Sequence, residues 1–423
     1  MELLEYLNGA VTPYHAVEAG VAYLESKGFC EQRLEEAVTA KAGGRYFVRL
    51  YGSGLVAYTV GEKYKEGGLF VAAAHTDAPC LRLKPKAELA SGDYLRLDTE
   101  LYGGAIMNTW MDRPLSVAGR VALRGKDVFS PVLRLVDFKR PLFVIPNLAI
   151  HMNREVNKGT ECKPQRDLLP LYGVAGDGPV ATSFFTELLA KELKVEAKDI
   201  LDYDLSVYCA EQACYLGVEE EFVSGPRLDN QLSCYALLKA IGEGGSADGI
   251  SVAVLYDHEE IGSRSKQGAD SGLLASLLER IFVALGGTKE TMARACAKGF
   301  LLSVDGAHAL HPNRSESYDP VNRAVMNRGI TLKINSSQRY AFDTELVAVI
   351  QMLCEKEGIP YQKFANHSDL AGGSTLGPII SSWLPMRALD LGVPMLAMHS
   401  ARELAGRYDV EGLERVLRAF FTA

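Results

Sequence analysis

The chain has 423 residues, 48% hydrophobic and 23% charged, with a formal net charge of -8. That balance belongs to a folded chain of one large domain plus a smaller one, and the acidic excess without any basic run excludes a nucleic-acid footprint. No apolar stretch approaches the roughly 20 residues that cross a bilayer, and the start, Met1-Glu-Leu-Leu-Glu-Tyr6, lacks the basic and apolar regions of a secretory signal.

Residues 1–28 carry helical periodicity, with Thr12-Pro13 opening a second helix and Gly28 closing it. Residues 45–51 and 55–60 flank Gly52-Ser53-Gly54 and predict a hairpin. Residues 68–74 form a continuous apolar run, the pattern of a strand buried on both faces. Between about 90 and 226 the texture changes. Short β-like segments (94–98, 115–124, 131–137, 205–209) alternate with prolines and predict an inserted, mostly antiparallel domain over 90–226. From Asp229 onward, helical patterns at 230–241, 270–285 and 342–357 alternate with apolar strands at 250–256, 299–304 and 393–398. Strand–helix alternation predicts an α/β fold: a mixed, mainly parallel sheet flanked by helices, built from residues 1–89 and 227–423. The eight cysteines (Cys30, Cys80, Cys162, Cys209, Cys214, Cys234, Cys296 and Cys354) are scattered without a Cys-x-x-Cys pair. They read as reduced, mostly buried thiols of a cytoplasmic protein.

The chemistry gathers where apolar runs end. The strand 250–256 runs into Asp257-His258-Glu259-Glu260-Ile261-Gly262-Ser263, which places two adjacent carboxylates at a strand tip. A strand alternates its side chains, so the two acids start in opposite directions: one to hold a metal, one to move a proton. His75-Thr76-Asp77 follows the strand 69–74, offering an imidazole and a carboxylate to orient it. Asp229 precedes the helix 230–241, where its plainer role is an N-cap. Asp305-Gly306-Ala307-His308 follows the strand 299–304, and His399 follows 393–398. Any one of these reads equally well as a capped loop. Together they put histidines and carboxylates at the carboxyl ends of separate strands, where open α/β sheets bind ligands. The set can hold two metal ions with open positions for water and substrate. A dinuclear phosphohydrolase would want a Gly-rich or basic phosphate cradle that these strand ends lack. A metal-stabilised scaffold would favour a closed, cysteine-rich site.

The ordered motifs resemble the aspartyl aminopeptidase family of dizinc exopeptidases, bacterial type. They are Thr12-Pro13-Tyr14-His15-Ala16-Val17, Ala74-His75-Thr76-Asp77, Ile145-Pro146-Asn147-Leu148-Ala149-Ile150-His151, Leu228-Asp229-Asn230, Glu259-Glu260-Ile261-Gly262-Ser263, Asp305-Gly306-Ala307-His308-Ala309-Leu310-His311-Pro312-Asn313, Lys333-Ile334-Asn335-Ser336-Ser337-Gln338-Arg339-Tyr340, Gly373-Ser374-Thr375-Leu376-Gly377-Pro378 and Ala397-Met398-His399-Ser400-Ala401-Arg402-Glu403. The resemblance implies a metalloaminopeptidase with two zinc ions held by His75, Asp229, Glu260, Asp305 and His399, Asp229 bridging; manganese or cobalt in their place stays open. It implies Glu259 as general base, Asp77 as the support of His75, and substrate contacts from His151, His308, Lys333 and Tyr340. It further implies that the inserted domain over 90–226 serves dimerisation or oligomerisation, and that His151 serves a neighbouring subunit in a dodecamer built from dimers. Peptides with a free N-terminus are the expected substrates, with Asp or Glu removed first and Lys333 meeting the acidic side chain. A solvated lysine on a strand edge is the alternative for Lys333. A neutral-residue aminopeptidase or a dizinc deacylase of similar fold are the rival activities.

Overall fold

The computed structural model describes residues 1–65, 67–159, 161–175 and 183–423, and the chain divides into two compact units. The first comprises Met1–Asp77, Ala213–Met398 and Glu403–Ala423. At its centre lies a nine-stranded mixed sheet. Ile250–Tyr256, Leu69–His75, Phe300–Val304 and Arg387–Gly392 run parallel side by side, with antiparallel neighbours outside them. Strand alternation splits these apolar runs between two cores. Ala72, Ala74, Ala253, Leu255, Leu302 and Val304 pack with the helices Pro13–Ser26, Leu228–Glu243, Thr344–Glu357 and Arg407–Thr422. Val71, Ala73, Val252, Val254 and Leu301 pack with Leu273–Ala284 and Leu376–Trp383 on the other face. With both faces covered, chemistry is left to the strand ends. The register sets their level: Tyr256 lies opposite His75 and Ser303 opposite Ala73, so Asp305 comes level with His75.

Two expected elements are corrected. The apolar residues at 393–398 are not a strand of the main sheet. Pro394–Leu396 pairs with Ala307–His308 and Glu403–Gly406 in a separate five-stranded sheet. The main sheet instead takes Arg387–Gly392, whose apolar run is broken by Arg387 and the fully buried Asp390. Nor is Asp229 an N-cap. Helix Leu228–Glu243 begins one residue before it, and both Asp229 and Asn230 have non-helical backbone angles across a kink.

The second unit comprises Ala78–Gln212 with His399–Arg402. A six-stranded sheet, antiparallel throughout, orders its strands Val132–Asp137, Leu115–Leu123, Ile200–Cys209, Cys80–Ser91, Tyr94–Tyr102 and Leu171–Val174. Its core joins Leu81, Leu97, Val117, Val121 and Val207 to Phe185 and Leu189 of the helix Phe184–Leu193. The division falls earlier than the texture change at 90 and 226. Cys80–Ser91 pairs within this sheet, while Cys214–Leu216 and Phe222–Gly225 pair within the five-stranded sheet of the first unit. All eight cysteines are free, with Cys30 and Cys214 exposed. No helix among the described residues is long and apolar enough to cross a membrane.

Candidate metal centre and active site

His75 ends its strand fully buried, with 1% of its surface exposed. Its Nδ1 faces the Asp77 carbonyl at 3.1 Å and the Asp77 carboxylate at 3.3 Å. A carbonyl only accepts, so Nδ1 carries a proton, and Nε2 is the nitrogen that can turn a lone pair to a metal when the ring is neutral. That nitrogen looks at Asp229 Oδ1 at 3.5 Å and Asp305 Oδ1 at 3.7 Å. One ligand atom each from His75, Asp229 and Glu260 lies within 4.8 Å of the others. Burial alone would lower the imidazole pKa, yet Asp229, Asp305 and Asp77 raise it well above the usual value. So much negative charge in a buried place calls for a cation. One imidazole nitrogen among carboxylate oxygens suits zinc, and equally manganese or cobalt, so the donor set fits the metal that the motifs imply. Cys234 lies close, its thiol donating to the His75 carbonyl at 3.0 Å, but burial pushes its pKa up to about 12 and keeps it protonated.

The two adjacent glutamates are separated by a device other than strand alternation. The strand stops at Tyr256, and Glu259–Ile261 form a 3-10 turn entered through His258 at φ 65° and left through Gly262 at φ 96°. Asp77 holds that turn: its Oδ1 accepts the Glu259 N–H and its Oδ2 the Glu260 N–H, both at 3.1 Å. Glu260 then joins the His75–Asp229 group, while Glu259 remains outside it. Burial, reinforced by Asp305, Asp77 and Asp229 against His75, pushes the Glu259 carboxyl up to about 8.

Asp305 sits between His75 and Lys333, whose Nζ lies 3.6 Å from its Oδ2. Gly392 makes room for it: a Cβ there would meet the Asp305 carbonyl oxygen at 1.9 Å. Lys333 is 2% exposed at the end of Ile330–Lys333, which rules out the solvated-edge alternative. Burial opposes its charge, but Asp305 and Asp390 outweigh that and hold its pKa above the ordinary value. Its Nζ also lies 5.2 Å from the ring centre of the buried Tyr340. The His308 ring packs edge-on against Phe364 at 6.2 Å. His151 and His399 belong to the second unit. His151 is exposed in a turn, and His399 places Nδ1 3.1 Å from the Gly104 carbonyl, so Nδ1 is its donor nitrogen.

Residues without a sequence signal support this set. Asn230 donates to the Val304 carbonyl at 2.8 Å, Gln231 to the Thr76 carbonyl at 2.6 Å, and Glu403 accepts the Asp229 N–H at 3.0 Å. Only their places beside Asp229 and near His399 in the motifs pointed to them.

The family described as aminopeptidase I zinc metalloprotease (M18) matches residues 6–421. A probable M18 family aminopeptidase 2 of Clostridium novyi (strain NT) is 43% identical over 422 residues, 99% of this chain and 98% of the relative. Among solved structures, Ape4 in its complex with Nbr1 superposes with a TM-score of 0.94 at 35% identity, covering 99% of this chain and 84% of that one. The S. cerevisiae mApe1 dodecamer gives a TM-score of 0.85 at 27% identity over 99% of this chain and 95% of its own. A histidine–carboxylate donor set at parallel strand ends and a family match along nearly the whole chain have one reading in common: the chain belongs to the M18 family of zinc metalloproteases and is a metal-dependent aminopeptidase.

Proposed function

We propose that the enzyme removes N-terminal Asp or Glu from peptides, using two metal ions held by His75, Asp229, Glu260, Asp305 and His399, with Asp229 shared between them. The observation that carries this reading is the convergence of His75, Asp229 and Glu260 with Glu259 standing spare beside them. When bound, a zinc pair lowers the pKa of a water and polarises the scissile carbonyl. Glu259 takes the proton of that water and returns it to the leaving amine. Asp77 keeps His75 Nδ1 protonated and fixes the Glu259–Glu260 backbone, so acceptor and ligand stay apart. Lys333, with Tyr340 beside it, is the cation that meets an acidic side chain, and His151 and His308 contact substrate.

The same reading takes the second unit as the assembly domain of a cytoplasmic dodecamer. Its edge strand Val132–Asp137 exposes Val132 and Leu133, and the nearby Val128 and Phe129 are 90% and 96% exposed. An uncovered apolar sheet edge of this kind is what a second copy covers.

The test is a panel of Asp-, Glu- and Leu-p-nitroanilides, each with a free and an acetylated amine, run with metal analysis. Fast cleavage of the free-amine Asp and Glu substrates alone supports the proposal. Preference for Leu overturns the acid specificity, and cleavage of the acetylated forms overturns the requirement for an N-terminus.

A further inference from the structure

A buried polar chain ties the end of the His75 strand to the first helix of the protein. Helix Leu3–Gly9 buries Leu3, Tyr6 and Leu7. The Tyr6 ring lies against Tyr235 with centroids 5.9 Å apart, and its hydroxyl donates to Gln231 Oε1 at 2.9 Å. Gln231 Nε2 donates in turn to the Thr76 carbonyl at 2.6 Å, in the peptide that joins Thr76 to Asp77. Tyr6, Gln231 and Thr76 are 2%, 1% and 1% exposed, so water has no access to replace either bond.

The direction of the chain is forced. A carbonyl only accepts, so Gln231 must turn its NH₂ to Thr76; its oxygen is then left for Tyr6, and the phenol must donate. Burial holds the Tyr6 proton in place by pushing its pKa well above the usual value. The Thr76 residue is gripped from its other sides as well. Its N–H donates to the Tyr256 carbonyl at 2.7 Å and its Oγ1 to the Ser53 carbonyl at 2.7 Å.

We infer that Tyr6 and Gln231 are positioning residues of the metal centre: through them, helix Leu3–Gly9 locks the Thr76–Asp77 peptide and hence Asp77, whose carbonyl and carboxylate face His75 Nδ1. The inference rests on the proposed ligand role of His75. A peptide group turns as a plane, so a rotation that frees the Thr76 carbonyl also swings the Asp77 N–H and Cα, and with them the Asp77 carbonyl and carboxylate that face His75 Nδ1. Removing the Tyr6 hydroxyl leaves Gln231 Oε1 buried without its donor, and the amide then relaxes away from Thr76.

The test compares cobalt(II)-loaded wild type with Tyr6→Phe and Gln231→Leu. Gln231→Leu offers neither an acceptor to Tyr6 nor a donor to Thr76. Read out are the visible cobalt absorption, competition for metal with a chelator, kcat against KM, and the Tm of metal-free protein. Expected are a displaced cobalt band, metal binding weakened by about tenfold, the lower end of what lost outer-shell partners cost, and a lower kcat at nearly constant KM. An unchanged band and unchanged chelator competition in both variants, whatever the Tm does, overturns the inference. A wild-type band that survives His75→Ala overturns the ligand assignment instead, which separates the two failures.

Discussion

Asp77 is the residue whose loss the structure allows to be costed. Its carboxylate accepts two backbone N–H groups, from Glu259 and Glu260 at 3.1 Å, and lies 3.3 Å from His75 Nδ1. It is 1% exposed, so the two donors find no water when it is removed. Hydrogen bonds to a charged group contribute about 1.5–3 kcal/mol each, so Asp77→Ala is expected to cost roughly 3–6 kcal/mol in the metal-free protein. Asp77→Asn fills the same volume but has one acceptor for two donors, and is expected to cost about half of that. Either change also frees the Glu259–Ile261 turn and the His75 ring, so metal affinity falls roughly 10–100-fold. Thermal denaturation of metal-free protein reads the first effect, and chelator competition the second. An Asp77→Asn protein with wild-type Tm and wild-type metal affinity refutes the claim that this carboxylate organises both the acids and the histidine.

Further expectations concern other groups. Glu259→Gln should retain its metal by elemental analysis while kcat falls about 10²–10⁴-fold, the span of general acid–base catalysis; full activity would remove Glu259 from that role. Lys333→Met leaves Asp305 and the fully buried Asp390 without their cation. It is expected to lower Tm, as breaking a buried pair costs about 3–5 kcal/mol, and to erase the preference for Asp- over Leu-p-nitroanilide; an unchanged ratio of the two rates would count against acid recognition by Lys333. Asp409, in the first turn of Arg407–Thr422, accepts the N–H groups of Asn327 and Gly329, yet burial pushes its pKa up to about 7. Its folded pKa lies above the unfolded value near 3.9, so the folded state holds the proton more tightly. The stabilisation is complete below about pH 4 and is lost as pH rises to 7. Tm of wild type should therefore fall more steeply than that of Asp409→Asn between pH 4 and 7, and parallel curves would contradict this.

Much of the fold was legible because burial writes itself into composition. The runs at 69–74, 250–256 and 299–304 are strands covered on both faces, and no charged residue interrupts them. Arg387–Gly392 escaped because the buried Asp390 breaks its run while accepting the Ala341 N–H at 2.6 Å, a partner 49 residues away in sequence. The inserted region showed its β texture, but its edges moved because strand pairing, not proline content, decides which sheet Cys80–Ser91 joins.

At the site, the sequence by itself determined the residue types and their places at strand ends, since an apolar run terminating in His or Asp marks where the sheet meets solvent and ligand. It could not determine which of Glu259 and Glu260 turns toward His75. That choice rests on a 3-10 turn pinned by Asp77, 182 residues from Glu259. Nor could it show that Lys333 is buried beside Asp305, or that Tyr6 reaches the Thr76 carbonyl through Gln231. These are contacts between residues remote in the chain, and hydrogen-bond direction and burial are properties of the packed neighbourhood. Local sequence names the groups; only the tertiary structure decides which way they point.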